Sequence, residues 1–152
     1  MDLSSPGTGT IMSLDKVPDE VFASKAMGDG FAIELIDNTV YAPVSGKVVS
    51  IFPTKHAIAI LDKFGNEVLI HIGLDTVNLE GEGFRLLIET DDYIEQGQII
   101  AEINTAKIKE KGFSLITPVI FTNLDQNNFG VKVNNEGARV EAKEKKLFTL
   151  EK

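Results

Sequence analysis

The chain has 152 residues, 43% hydrophobic and 25% charged, which suits one globular domain and leaves little room for two. Fifteen Lys and Arg against 23 Asp and Glu give a formal charge of -8, which argues against nucleic acid or anionic lipid as the main partner. Without cysteine, disulfide frameworks, thiol nucleophiles and thiolate metal sites are excluded, and no apolar stretch approaches the ~20 residues of a membrane span.

The N-terminus carries no signal-peptide pattern, so no direct membrane insertion and a cytoplasmic location are expected. Residues Met1 to Ser4 are expected to be loose or extraneous, and the small, polar stretch through Gly9 shares that character. Strand-like runs of β-branched and apolar residues follow at 10–14, 40–42, 47–52, 57–61 and 67–72. They continue at 84–89, 99–103, 117–121, 129–133 and 147–150, separated by Gly, Pro, Asn and Asp where turns need them. Residues 62–66 read as a hairpin connection in which Gly65 takes positive φ. Helix is expected only as a turn or two within 19–27, closed by Gly28, and at 105–111, ahead of Gly112. The pattern predicts an all-β fold, an antiparallel β-sandwich or barrel-like sheet with short helical segments, as a single domain over 1–152. A faint internal echo pairs residues 5–14 with residues 42–51, each with Pro, then Gly three positions later, then a strand.

Both histidines fall in apolar strand context. Alternation puts Val68, Ile70 and Ile72 on one face of their strand and Leu69 and His71 on the other. His56 begins a strand on whose face Ile58 and Ile60 also lie. The turn at Gly65 lies between the two histidines, so they fit neighbouring strands of one hairpin, and equally two unrelated rings.

Neutral imidazole is a competent nucleophile toward phosphorus, and an ordinary value of about 6.5 leaves it largely neutral near pH 7. A second imidazole can hydrogen-bond the transferred oxygens, and the Thr54 hydroxyl is placed to orient it. No P-loop or kinase-type glycine motif is present, which argues against ATP as donor. Asp75 can face His71 across the Gly73 turn or simply cap local N–H groups, and Asp29 reads more readily as such a turn carboxylate. The phenylalanines are mainly core candidates, with Phe22 and Phe52 alternatively at the rim of a site. A metallohydrolase would need a third ligand that no His-x-His or His-Glu-x-x-His grouping supplies. A pure binding module would use the same surface without covalent chemistry.

At these residues the sequence resembles the glucose-type IIA phosphocarriers of the bacterial phosphoenolpyruvate-dependent sugar phosphotransferase system. The resemblance is carried by Val21-Phe22-Ala23, Met27-Gly28-Asp29-Gly30, Ala42-Pro43-Val44-Ser45-Gly46 and Thr54-Lys55-His56-Ala57. It is strongest from Val68 to Val77, continues through Leu79 and Gly81-Glu82-Gly83-Phe84, and extends to Thr117-Pro118-Val119-Ile120 and Thr122-Asn123.

The resemblance implies a duplicated-hybrid-motif sandwich and a phosphotransferase component that acts only with partner proteins. His71 would accept a phosphoryl group from the phosphohistidine of the histidine-containing phosphocarrier protein and donate it to a cysteine of a sugar-permease IIB domain. His56 would support transfer, with Thr54 bonded to it, and Asp19, Val21, Phe22, Phe52 and Asp75 would form the docking rim. It also implies regulatory binding to transporters or kinases as a second role. No cofactor is required; zinc is expected at His56 and His71 only as an adventitious ion or completed by a partner's carboxylate. Two positions depart from the pattern: Asn104, where an acidic residue is expected, and Glu144, where a glycine turn is expected.

Overall fold

Short apolar runs bounded by turn residues become short strands, and the chain crosses its own core repeatedly to pair them. The computed structural model describes residues 2–151. Its first half runs β1 (Gly9–Ser13), α1 (Glu20–Ala23), β2 (Asp29–Leu35), β3 (Thr39–Tyr41), β4 (Gly46–Ile51), β5 (Ala57–Leu61) and β6 (Glu67–His71). The second runs β7 (Phe84–Leu86), β8 (Tyr93–Ile94), β9 (Ile99–Ile103), α2 (Thr105–Glu110), β10 (Ile116–Phe121), β11 (Gly130–Val133), β12 (Arg139–Val140) and β13 (Phe148–Glu151).

Eight strands form one antiparallel sheet in the order β12-β1-β2-β10-β6-β5-β4-β8, and the others form a three-stranded sheet, β3-β9-β7, and a pair, β11-β13. Val40, Ile100 and Ile103 of the three-stranded sheet and Phe148 of β13 share the main core with Phe31, Ile33, Ile58, Ile60, Val68 and Ile70 of the large sheet. This is the antiparallel sandwich the turn pattern predicts. The opposite face of the large sheet carries a second, smaller core of Leu14, Val17, Phe22, Ala57, Ala59, Leu69 and Ile120. His71 ends β6 on this second face.

The sequence echo has a structural counterpart. About the β10–β6 junction the large sheet reads alike in both directions: β10-β2-β1-β12 one way, β6-β5-β4-β8 the other. Gly9 of the first unit pairs with Val140 of one two-residue edge strand, and Gly46 of the second pairs with Ile94 of the other.

Two expectations need correction. Residues before Gly9 are packed, not loose: Leu3 is 0% exposed, Ser4 N–H donates to the Pro43 carbonyl, and the Asp2 carboxylate accepts from Lys146 N–H. Side-chain burial, invisible in composition, fixes this segment; Met1 lies outside the described residues. The longest strand, β2, was not among the expected ones; buried at six of its seven positions, it shows no polar alternation. The first helix is the shorter of the one or two turns expected, because Lys25 enters the left-handed region with φ 62. The departure at Asn104 has a local reason, since its side chain N-caps α2 by accepting from Lys107 N–H.

Candidate functional site

The β5–β6 hairpin sets the two histidines side by side. Its turn closes through Asp62, whose carboxylate accepts from Phe64 and Asn66 N–H, with Gly65 at φ 89. The register that follows puts Ala57 opposite His71, and Ile72 N–H donates to the His56 carbonyl at 2.7 Å. The imidazole centroids stand 4.8 Å apart at 77°. The spacing ambiguity is thereby resolved: the rings meet.

Strand alternation alone would put His56 with Ile58 and Ile60, on the face away from His71. The ring is on the His71 side because β5 begins only at Ala57. Lys55, at φ 63, turns the chain just before it, and Lys55 N–H bonds back to the Phe52 carbonyl at 2.7 Å. Alternation does not extend through a residue in the left-handed region.

Thr54 Oγ1 lies 2.6 Å from His56 Nδ1. His71 Nδ1 lies 2.7 Å from the Gly73 carbonyl oxygen. A carbonyl only accepts, so His71 Nδ1 carries the hydrogen and Nε2 presents a lone pair. Phe22 packs its edge on His71 with centroids 4.9 Å apart, and Phe52 does the same to His56 at 5.4 Å. Phe22 is buried, whereas Val21 and Phe52 are exposed beside it as apolar rim.

Burial is the main cause that lowers both histidines' affinity for protons. His56, 2% exposed, drops to about 4, with His71's charge as a second cause. His71 is lowered as well, opposed by its bond to Gly73 and then by the Asp19 and Asp75 carboxylates. Both rings are therefore neutral at pH 7. Asp19 also caps α1, accepting from Val21 N–H at 3.0 Å. Asp75 stands in the left-handed region at φ 58 and makes no capping bond. Asp29, the buried first residue of β2, caps a local N–H, that of Gly30, as expected, but it also accepts from Val131 N–H on β11 and pairs with Lys25.

Acid sensitivity follows from the sign of the His56 shift. The unfolded ring titrates near 6.5 and the folded one near 4, so below pH 6.5 the unfolded chain takes a proton that the fold refuses. Stability contributed by neutral His56 is complete above pH 6.5 and is lost as pH falls toward 4. Urea unfolding at pH 7.5 and 4.5 should show the parent losing about 2–3 kcal/mol more than His56→Gln. Equal losses would mean that His56 titrates normally in the fold.

Two ring nitrogens fall short of the four ligands of a structural zinc site. Among the described residues no group of three or more His, Cys, Asp or Glu side chains could hold a metal ion. Zinc would need ligands from solvent or a partner. No helix among the described residues is long and apolar enough to cross a membrane.

The sequence reading missed the Gly73 carbonyl, although a histidine two residues before a glycine turn hints at it. It also missed Thr76 and Thr117, whose buried hydroxyls bond to the Ile72–Gly73 peptide. No local pattern ties Thr117, on β10, to a turn after β6.

Residues 1–127 match the family model described as phosphoenolpyruvate-dependent sugar phosphotransferase system, EIIA 1. A glucose-specific EIIA component of Halalkalibacterium halodurans is 48% identical over 122 residues, which are 80% of this chain and 70% of that one. A glucose-specific EIICBA component of Staphylococcus saprophyticus is 45% identical over 132 residues, 87% of this chain but only 20% of that protein. Among solved structures, the glucose permease IIA of Mycoplasma capricolum superposes with a TM-score of 0.84 at 39% identity, covering 99% of this chain and 94% of its own. The structural match thus takes in β11 to β13, which lie beyond the family model. The chain belongs to the EIIA 1 family of the phosphoenolpyruvate-dependent sugar phosphotransferase system, and is a phosphocarrier component of sugar transport.

Proposed function

We propose that His71 Nε2 is the phosphoryl acceptor, charged by the phosphohistidine of the histidine-containing phosphocarrier protein and discharged to a cysteine of a sugar-permease IIB domain. The observation that carries this reading is the bond from His71 Nδ1 to the Gly73 carbonyl, which leaves Nε2 as the nucleophilic nitrogen. In the first transfer the Nε2 lone pair forms an N–P bond as the donor's N–P bond breaks. In the second, an S–P bond forms on the IIB cysteine as the His71 N–P bond breaks. Each step balances without a cofactor.

His56 supports the transferring group. Neutral at pH 7, it donates from Nε2 when its Nδ1 accepts from the Thr54 hydroxyl, and the 2.6 Å contact fits that arrangement. Asp19 and Asp75, which favour positive charge at His71, repel a phosphoryl dianion, so the phosphohistidine is not a thermodynamic sink. Val21, Phe22 and Phe52 supply an apolar rim that excludes water during transfer. The relative named EIICBA supports a IIB acceptor, and the relatives' names favour a glucose-type permease. A reaction between these partners would run in the cytoplasm.

The test is intact-protein mass after incubation with phosphoenolpyruvate, enzyme I and the histidine-containing phosphocarrier protein. One acid-labile phosphoryl group is expected. The same assay on His56→Ala should show acceptance within about tenfold of the parent, with onward transfer to IIB reduced roughly 100-fold. Loss of all acceptance in that variant would mean that the roles of the two rings are assigned wrongly.

A further inference from the structure

His71 carries its hydrogen on Nδ1 because the Gly73 carbonyl sits 2.7 Å away, so whatever fixes that carbonyl fixes the free nitrogen. The Ile72–Gly73 peptide unit is held at both ends. Its carbonyl accepts from Thr76 Oγ1 at 2.5 Å, and its N–H donates to Thr117 Oγ1 at 3.3 Å. The next unit is tied to the Ser114 carbonyl through Leu74 N–H at 3.2 Å.

Thr117 is 0% exposed and its hydroxyl has a determined polarity. The Thr117 O–H donates to the Leu115 carbonyl at 3.0 Å, which leaves the oxygen lone pairs to receive Gly73 N–H. The β10–β6 register pairs Val119 with Ile70 and, continued by two residues, would pair Thr117 with Ile72. The ladder stops short of that pair, and the side-chain hydroxyl takes the place of a backbone acceptor. Val119 and Phe121 point into the main core, whereas His71 lies on the other face. Thr117 therefore reaches the imidazole only through the turn.

We infer that Thr117, through the Ile72–Gly73 peptide, holds the Gly73 carbonyl in the position that keeps His71 in its Nδ1–H form, and is thus a positioning residue for phosphoryl acceptance. This rests on His71 being the acceptor, but its structural half can be read without any partner protein.

The experiment is long-range proton–nitrogen NMR of the ring nitrogens in 15N-histidine-labelled protein, alongside acceptance rates, for the parent, Thr117→Val and Thr117→Ser. The parent should show the Nδ1–H form of His71. Thr117→Val keeps the shape but removes the acceptor, and should raise the Nε2–H form several-fold and slow acceptance by about tenfold. Thr117→Ser, which keeps the hydroxyl, should restore both. A folded Thr117→Val with an unchanged tautomer overturns the inference, whether or not acceptance slows. If the valine variant does not fold, Thr117→Ala is read by the same criteria. Retained acceptance in His71→Ala would instead sink the function on which the inference rests, and leaves the tautomer result standing apart.

Discussion

Replacing His71 with alanine is expected to reduce phosphoryl acceptance to background while the fold survives. The nucleophile is gone, and no other nitrogen in the site can substitute at the same position. His56 lies 4.8 Å away, but its Nδ1 faces Thr54 and the ring is buried, so its approach to an incoming donor differs. His71→Gln should be equally inactive, because an amide holds a similar volume without a nucleophilic lone pair. Stability should change by only about 1 kcal/mol, since the ring is half-buried and packs only beside the Phe22 and His56 rings at the end of β6. Intact mass and urea unfolding on the same samples separate the two effects. Acceptance persisting in His71→Ala would move the phosphoryl group elsewhere.

The second large effect is expected at Gly73, where the fold and the chemistry meet. With φ 80, this residue is in the left-handed region, and an added Cβ would lie 2.5 Å from Thr76 Cγ2 and 2.7 Å from the Ser114 carbonyl oxygen. The backbone oxygen cannot swing aside like a flexible side chain. Gly73→Ala should cost about 2–4 kcal/mol, combining left-handed strain with overpacking. It should also slow acceptance by at least about tenfold, because the displaced carbonyl no longer holds His71 Nδ1. Gly65→Ala is the control. It shares the positive φ, at 89, but nothing lies within 4 Å of its Cβ, so only about 1 kcal/mol is expected. Equal costs at the two positions would mean that the 72–76 turn yields to the methyl group.

The sequence carried the fold where the chemistry is local. Asp62 and Gly65 close the β5–β6 hairpin through bonds within five residues, and the alternation of Val68, Ile70 and Ile72 against Leu69 matches the two cores. It failed where the deciding contact is distant. β2 is enclosed between β1 and β10, and with burial on both faces its period vanishes. Leu3 and Ser4 look like a loose end until Pro43 and the core are placed against them. The site divides in the same way. Thr54 and His56 are two residues apart and their contact could be anticipated; Thr117 and Gly73 are joined only by tertiary structure. His56 shows a subtler limit, because one residue at positive φ reversed the face that alternation assigns.

The most direct test of the central claim is the nitrogen that carries the phosphoryl group. Protein labelled with 15N-histidine would be charged with phosphoenolpyruvate, enzyme I and the histidine-containing phosphocarrier protein. The ring nitrogens would then be read by NMR before and after acid treatment. The geometry predicts a single acid-labile phosphoryl group on His71 Nε2, with Nδ1 still protonated. A phosphoryl group on His71 Nδ1 or on His56 would contradict it, as would no gain at all when the same partners charge a known acceptor.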